Sequence, residues 1–277
     1  MSYLCNLADV SRSGFYAWLK ADIQRQERER QDEIDIELIA YIFLLKNKKI
    51  GALPLKMYLE NDYLVIMNHK KIRRLMKKYS LVTKVRRANP YKKMAKATQE
   101  HRTCANLLKR KFDCGEPGKV LLTDITYLYY GNGRLAYLSC IKDGSTKEIL
   151  THHISSSFKM DLVFETLDKL VLHNKLHPEA ILHSDQGVHY THPEFQKRLK
   201  ELEITQSMSR KGNCWDNAPI ESFFGHFKDE VEYKACNSLS ELKEVVSQYI
   251  DEYNNHRYQW GLKKMTPVKY RNHLLAA

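Results

Sequence analysis

The chain has 277 residues, 43% of them hydrophobic, which is enough for one large domain or two modest ones. No run of about 18 apolar residues occurs, so the sequence predicts no transmembrane helix, and its start lacks the features of a signal peptide. The six cysteines form no CxxC pair, so we expect reduced thiols in a cytoplasmic protein.

Positive charge is concentrated in the first part of the chain. Residues 1–119 hold 26 Lys and Arg against 13 Asp and Glu, whereas residues 120–277 hold 19 against 20. Between Tyr63 and Gln99 there is no acidic residue. A one-signed run of this length favours a polyanionic partner over a merely solvated face, and it lacks the apolar face that membrane insertion needs. We therefore predict nucleic-acid binding and no membrane partner.

The first part of the sequence predicts helices. Residues 10–19 indicate a turn followed by a short helix that Ser11 or Ser13 would cap. Its predicted apolar anchors are Phe15, Tyr16 and Trp18. Residues 32–47 have apolar side chains at helical spacing, with acids early and lysines late, an order that suits the helix dipole.

A basic helix is predicted over residues 68–79, with Asn68 as its cap. Its bases are Lys70, Lys71, Arg73, Arg74, Lys77 and Lys78. Two small helical units with one basic helix fit helix-turn-helix DNA binding, and the alternative is a helical bundle with a basic surface. We expect these bases, together with Arg86 and Arg87, to contact DNA. Residues 84–118 are predicted to form a basic linker.

At Val120 the pattern changes to strands. Residues 119–130 and 134–143 predict two strands joined by a hairpin at Gly131-Asn132-Gly133. The remaining predicted strands are 147–155, 179–185 and 203–207, and the predicted helices are 158–173, 193–203, 218–235 and 239–254. This order predicts an α/β fold, a mixed five-stranded sheet with helices on its faces.

Three carboxylates stand out in that order. Asp124 lies within the first strand, Asp185 follows the fourth, and Glu221 is near the start of a helix. The sheet can bring the two aspartates together, and the helix can bring Glu221 beside them. Clustered carboxylates repel, and a pair of Mg²⁺ ions, or Mn²⁺, would remove that penalty and support phosphodiester cleavage or transfer. Alternatively, Asp185 begins a turn and Glu221 interacts with the helix dipole.

Four strings carry a resemblance to a known family: TDITYL, HSDQGVHYT, SMSRKGNCWDNAPIESFFGHFKDE, and YIDEYNNHRYQ with LKKMTP. Over roughly residues 118–272 the chain resembles the catalytic part of bacterial insertion-sequence transposases of the OrfB type, which are related to retroviral integrases. Thirty-five residues separate Asp185 from Glu221, the D,D-35-E spacing of that family. The resemblance implies a ribonuclease H-like fold and metal-dependent DNA strand transfer. Asp124, Asp185 and Glu221 match its metal ligands.

Further residues follow from the same resemblance. Lys228 matches a basic residue near the catalytic Glu that contacts DNA, and its alternative is a solvent lysine. Arg257 matches a C-terminal motif, where a phosphate contact and a buried pairing are equally supported. The residues that match the loop before the helix are Gly212, Asn213, Asp216 and Asn217. Either Asp216 or Asn217 would cap that helix. We expect the turn at Asp185 to be shaped by Ser184, Gln186 and Gly187.

Three domains follow: a helix-turn-helix region over 1–83, the basic linker over 84–118, and a catalytic domain with C-terminal helices over 119–277. The expected reaction is cleavage at the ends of an insertion sequence and joining of the 3′ end to target DNA. The alternatives are a DNA-binding regulator or inactive remnant, and a structure-specific nuclease. The expected partners are double-stranded DNA, further copies of the chain assembled on it, and an upstream reading-frame (OrfA) product.

Overall fold

The computed structural model describes residues 1–84, 103–210 and 214–276. The chain divides into two compact units, Met1–Lys84 and Val85–Ala277, which are described separately. No helix within the described residues is long and apolar enough to cross a membrane.

The first unit is helical. Its helices are α1 (Ser2–Leu7), α2 (Arg12–Lys20), α3 (Asp22–Leu45), α4 (Ala52–Asp62) and α5 (His69–Lys78). Its fully buried side chains come from the last three helices and include Ile39, Leu55 and Ile72. Burial of these apolar faces, rather than helix propensity alone, holds the three helices together.

At the start of this unit, one prediction is confirmed and two need correction. Ser11 caps α2 by accepting a hydrogen bond from the Gly14 amide, as expected. Two of its three predicted aromatic anchors are exposed rather than buried: Tyr16 is 46% exposed, and Trp18 is 58% exposed with the Arg25 guanidinium over its ring, whereas Phe15 is half-buried. Helix α3 starts at Asp22 rather than residue 32, in a stretch held by charged pairs that carries no apolar periodicity.

The second unit contains the predicted five-stranded mixed sheet. Its strands are β1 (Val120–Tyr130), β2 (Arg134–Asp143), β3 (Ile149–Ser155), β4 (Ile181–Ser184) and β5 (Thr205–Met208). The order across the sheet is β3-β2-β1-β4-β5. Strands β1, β2 and β3 pair antiparallel, whereas β4 and β5 run parallel to β1, so β1 is the central strand. This is the ribonuclease H-like arrangement.

The predicted hairpin joins β1 to β2. Tyr130 pairs with Arg134, and the three residues between them make the turn. Gly131 and Gly133 both have positive φ, 49° and 84°, a conformation that glycine adopts without strain.

Helices cover both faces of the sheet. They are α6 (Asp161–His173), α7 (Val188–Thr191), α8 (Pro193–Glu201), α9 (Ala218–Glu230), α10 (Leu239–Asn255) and α11 (Pro267–Leu275). Helix α9 ends at Glu230, not near residue 235, and α6 begins at Asp161 rather than 158. One core joins Leu122 and Leu128 of β1 to α9 and α10, and the other joins Leu121 to α6 and α8. Alternate residues of β1 therefore face the two helical layers.

The described part of the predicted linker contacts the sheet. The Leu107 amide donates to Ser207 Oγ, and the Asn106 side chain donates to Asp216. Leu108 is buried in the core that includes α9 and α10. Whether residues 84–118 act as a linker between domains stays a prediction.

Candidate active site

Asp124 and Asp185 both follow the paired part of β1 and β4. The last pair in that parallel register is Leu122 with His183, and each aspartate lies two residues further along its chain segment, where β4 has just ended. The charges of both aspartates act on the Tyr190 hydroxyl. Both aspartates are half-buried. Asp124 in the central strand and Asp185 after β4 therefore lie in the same part of the sheet, and their joint role in one site stays a prediction.

Three neighbouring residues surround Asp185. The Ser184 hydroxyl donates to the Asp185 carbonyl, and the Gly187 amide donates to Asp185 Oδ1 at 2.9 Å. Gln186 Nε2 donates to the Ser209 carbonyl, which ties the turn to the end of β5. A Cβ atom on Gly187 would lie only 2.8 Å from Asp185 Oδ1, so a larger residue here would displace that carboxylate oxygen.

Helix α9 holds Glu221 beside the same strand. At its start, Asn217 donates to the Thr123 carbonyl, and further along the Lys228 ammonium donates to Thr126 Oγ1. Thr126 lies two residues from Asp124, on the same side of β1. Glu221 and Lys228 are seven residues apart and therefore share a face of the helix. The Glu221 side chain is exposed in the first turn.

Two buried side chains next to the aspartates, Cys140 and Tyr190, have raised pKa values. Cys140 pairs with Asp124 across the sheet and is fully buried, and burial, with the charge of Asp124, raises the pKa of its thiol well above the usual value. Burial and then the charge of Asp124, with a further contribution from Asp185, raise the pKa of the Tyr190 hydroxyl. Neither group ionises near neutral pH, so the negative charge here belongs to the carboxylates.

The donor types fit a hard divalent cation, because all three side chains offer carboxylate oxygens. Within the described residues, however, no three His, Cys, Asp or Glu side chains are already gathered as a bound metal ion requires. The two aspartates each follow the last β1–β4 pair by two residues, and the exposed Glu221 side chain has three rotatable bonds that can change its distance from them. The predicted joint ligation by all three stays a prediction.

The loop before α9 is anchored differently from expectation. Asn217 occupies the N-cap position, but its side chain makes no capping bond, because it reaches across to β1 instead. Asp216 does not cap the helix either, since its buried carboxylate binds Arg110 and Arg210. Pro219 lies in the first turn of the helix, where proline is well tolerated. Gly212 and Asn213 lie outside the described residues.

Family models match along most of the chain. An HTH-like domain matches residues 29–89, and two integrase core domain models match residues 115–214 and 221–275. A protein of Escherichia coli K12 named as the InsK transposase for insertion sequence element IS150 is 36% identical over 97% of this chain and 92% of its own length. This chain belongs to the family of insertion-sequence transposases. The predicted family is therefore confirmed.

Other transposases agree over similar lengths. The transposase for insertion sequence element IS904 from Lactococcus lactis is 31% identical over 90% of this chain and 97% of its own length. InsF for insertion sequence IS3A from Escherichia coli K12 is 26% identical over 99% of this chain and 94% of its own. The solved HTLV-2 integrase catalytic core domain in complex with magnesium is a more distant likeness, 14% identical over 56% of this chain and 97% of that one, with a TM-score of 0.42.

The two predicted DNA contacts of the transposase core have protein partners. Lys228 is half-buried and bound to Thr126, so it is not the solvent lysine of the alternative interpretation. Arg257 is largely buried and pairs with Glu230, which also accepts a hydrogen bond from Tyr249. The structure thus favours internal pairing for Arg257. Asn254 of the same motif exchanges two hydrogen bonds with the Ile149 backbone and fixes β3.

The bases of α5 fall into two stripes. The α3-facing stripe pairs with acids of α3 and consists of Lys71, Arg74 and Lys78. The outer stripe is exposed and consists of Lys70, Arg73 and Lys77. Both stripes have the spacing of one helix face. Asn68 caps the helix through Lys70 N, as predicted. Arg86 and Arg87 lie outside the described residues.

Sequence reasoning missed a buried lysine that supports α9. Lys142 of β2 is 4% exposed, and its ammonium donates to the Pro219 carbonyl at 2.9 Å, two residues before Glu221. The ammonium also lies over the Tyr253 ring at 5.6 Å. The available signal was a lysine that follows the apolar part of a strand, and its partner is 77 residues away in the chain.

Proposed function

We propose that this transposase cleaves the ends of an insertion sequence and joins the freed 3′ ends to target DNA, using Asp124, Asp185 and Glu221 as one metal-dependent site. The observation that supports the proposal is the β1–β4 pairing, because Asp124 and Asp185 each follow its last pair by two residues and α9, which carries Glu221, bonds β1 on both sides of Asp124. The family membership supplies the substrate class, DNA.

The three carboxylates would hold two Mg²⁺ ions, with Mn²⁺ as a substitute. When bound, such ions activate an attacking oxygen and stabilise a leaving oxygen at phosphorus. The residues of the chain contribute position: the Gly187 and Ser184 contacts orient Asp185, and Asn217 and Lys228 hold the Glu221 helix against β1. The magnesium in the HTLV-2 structure is in keeping with this donor set.

The proposed reaction has two balanced steps. In the first, water forms a bond to phosphorus at the element end, the bond from phosphorus to the 3′ oxygen breaks, and the element keeps a 3′-hydroxyl. In the second, that hydroxyl forms a bond to a target phosphorus and displaces the target 3′ oxygen. Joining two ends calls for more than one protomer, so we propose a homo-oligomer on DNA. An OrfA product remains a further proposed partner.

A strand-transfer assay tests this proposal. A labelled element end is incubated with the full chain and Mg²⁺, and with a chelator in parallel. We expect joined products with Mg²⁺ and none with the chelator. Cleavage without joining would indicate the structure-specific nuclease, and DNA binding without cleavage the regulator or inactive remnant.

The variant Glu221→Gln removes one negative charge at nearly constant shape. Because Glu221 is exposed, we expect unchanged folding, DNA affinity within about twofold, and both steps reduced by about 10³-fold or more, the scale expected when charge stabilisation at the reacting centre is lost. The exposed Glu241→Gln on α10 is the matched control and should retain full activity. Residual cleavage near the wild-type rate in Glu221→Gln would exclude this residue from the site.

A further inference from the structure

A buried carboxylate draws two arginines together beside the candidate active site. The Asp216 side chain is fully buried. Its Oδ1 accepts from Arg110 Nε at 2.9 Å and from Arg210 Nη2 at 3.1 Å, and its Oδ2 accepts from Arg210 Nε at 2.9 Å and Asn106 Nδ2 at 3.0 Å. The Arg210 amide also donates to Oδ2. These bonds hold the pKa of Asp216 well below its usual range, first through Arg210.

The cluster presents two guanidiniums at the protein surface. The Arg110 and Arg210 side chains are 48% and 62% exposed, whereas the carboxylate that holds them is buried. Asp216 accepts from Arg110 Nε and from Arg210 Nε and Nη2, so it fixes the direction of both planar groups. The protein surface here is therefore a pair of like charges held side by side, which a bound anion would stabilise.

Chain connections place this pair next to the carboxylates. The Ser209 amide, one residue before Arg210, donates to the Ser184 carbonyl, and the Ser209 carbonyl accepts from Gln186, so Ser209 bonds both neighbours of Asp185. On the other side, Asn217 follows Asp216 and bonds the Thr123 carbonyl, next to Asp124. Arg210 and Asp216 are therefore each adjacent in the chain to a residue that bonds a direct neighbour of one of the two aspartates.

An uncommon backbone conformation positions Arg110 beside Asp216. Lys109 and Arg110 both have positive φ, 46° and 69°. This conformation is unfavourable for residues other than glycine, so the turn persists because surrounding contacts determine it. Those contacts include the Lys109 amide bond to the Asn106 side chain, which itself binds Asp216.

We propose that Arg110 and Arg210, oriented by Asp216, form a phosphate-binding pair for the DNA strand that enters the candidate active site. The inference rests on the proposed function, because DNA must be the substrate. The pair supplies two planar donor groups of fixed direction to one backbone phosphate, and so positions the strand without taking part in the chemistry.

Binding to chemically neutralised DNA tests the pair directly. The probe is a duplex carrying the terminal sequence of the element that encodes this chain, with single methylphosphonates placed one at a time near the cleavage position, in buffer without Mg²⁺. We expect one or two substitutions to weaken the wild type about 3- to 10-fold. The Arg210→Gln variant should lose most of this penalty, because only Arg110 then contacts the phosphate.

Salt dependence gives a second measurement. Each lost phosphate contact lowers the slope of log affinity against log salt by about 0.9. We expect that decrease in Arg210→Gln and in Arg110→Gln. The matched control is Arg198→Gln, which removes an equally exposed arginine of α8 that pairs with Asp168. Thermal unfolding of each variant checks the fold, and Arg210→Lys keeps Asp216 paired if Arg210→Gln unfolds.

The proposal is overturned if Arg210→Gln retains the wild-type penalty at every methylphosphonate, or if its salt slope changes no more than that of Arg198→Gln. These outcomes concern binding without metal. They are therefore distinguishable from failure of the strand-transfer assay, which concerns the carboxylates.

Discussion

Asp124 shows how a single residue can be recognised before its partners are known. An acid between Leu122 and Ile125 in an apolar strand has a desolvation cost that needs a reason, so the sequence alone made it a candidate. Asp185 and Glu221 were identified in the same way, by position at a strand end and a helix start. Arg110, Arg210 and Lys142 were not, because ordinary surface arginines and lysines look the same until distant partners are seen.

Lys228 gives the residue-scale prediction. Its ammonium binds Thr126 on the face of α9 that also carries Glu221, so a DNA strand at the carboxylates would lie within its reach. We expect Lys228→Gln to lower the salt slope of DNA binding by about 1, and Thr126→Val to leave it unchanged. Fluorescence anisotropy over a salt series measures both. Equal slopes in wild type and Lys228→Gln would assign Lys228 to folding alone.

At the scale of elements, the two stripes of α5 should separate stability from DNA binding. Arg74 makes two hydrogen bonds to the buried Asp32 and lowers the pKa of that carboxyl. Since Arg74 is itself about half exposed, we expect Arg74→Ala to lower the free energy of unfolding by about 1–3 kcal/mol, measured by urea denaturation.

Arg73→Ala, the neighbouring variant on the exposed stripe, is the control. We expect its free energy of unfolding to change by less than about 0.5 kcal/mol and its DNA affinity to fall with a smaller salt slope. If Arg73→Ala destabilised the chain as much as Arg74→Ala, the division into two stripes would be wrong.

Strand β3 makes stability depend on pH. Burial, with the nearby charges of Lys169 and His153, lowers the pKa of His152 to about 4, and its Nε2 lies 3.2 Å from Ser247 Oγ on α10. In the unfolded chain this imidazole takes up a proton near pH 6.5, before the folded chain does. The stabilising contribution is therefore present above about pH 6.5 and is lost as the pH falls towards about 4.

We expect His152→Gln to reduce this acid sensitivity by about 1–3 kcal/mol between pH 7 and pH 4, because glutamine can keep a bond to Ser247 without titrating. Urea denaturation at a series of pH values measures it. Parallel pH profiles for the variant and the wild type would contradict the assignment.

The elements predicted best were those with strong periodicity. The β1–β2 hairpin, α10 and the α5 cap were each predicted from local pattern, as was the succession of strands and helices along the chain. Helices α4, α7 and α11 were missed because their local signals are weak: α4 has Pro54 in its first turn and α7 has only four residues. The extension of α3 to Asp22 depends on charged pairs that an apolar pattern does not reveal.

In the whole molecule, the excess positive charge and the candidate active-site carboxylates lie in different parts of the chain. The excess of bases lies in residues 1–119, whereas the three carboxylates lie in the nearly neutral remainder. The approach of the two aspartates could be predicted, because a central first strand beside the end of another strand would bring them together. The distance from Glu221 to the aspartates could not, because it depends on a side-chain rotation that substrate and metal would bias.

The central claim is that Asp124, Asp185 and Glu221 bind the same metal ions, and anomalous diffraction tests it most directly. The full chain would be crystallised with Mn²⁺ and an element end that lacks its 3′-hydroxyl, so that joining cannot proceed. We predict manganese peaks bonded by Asp124 and Asp185, with Glu221 rotated to reach one of them. Manganese bound elsewhere, or an ordered DNA end at the site with Glu221 pointing away from the metal, would contradict the account.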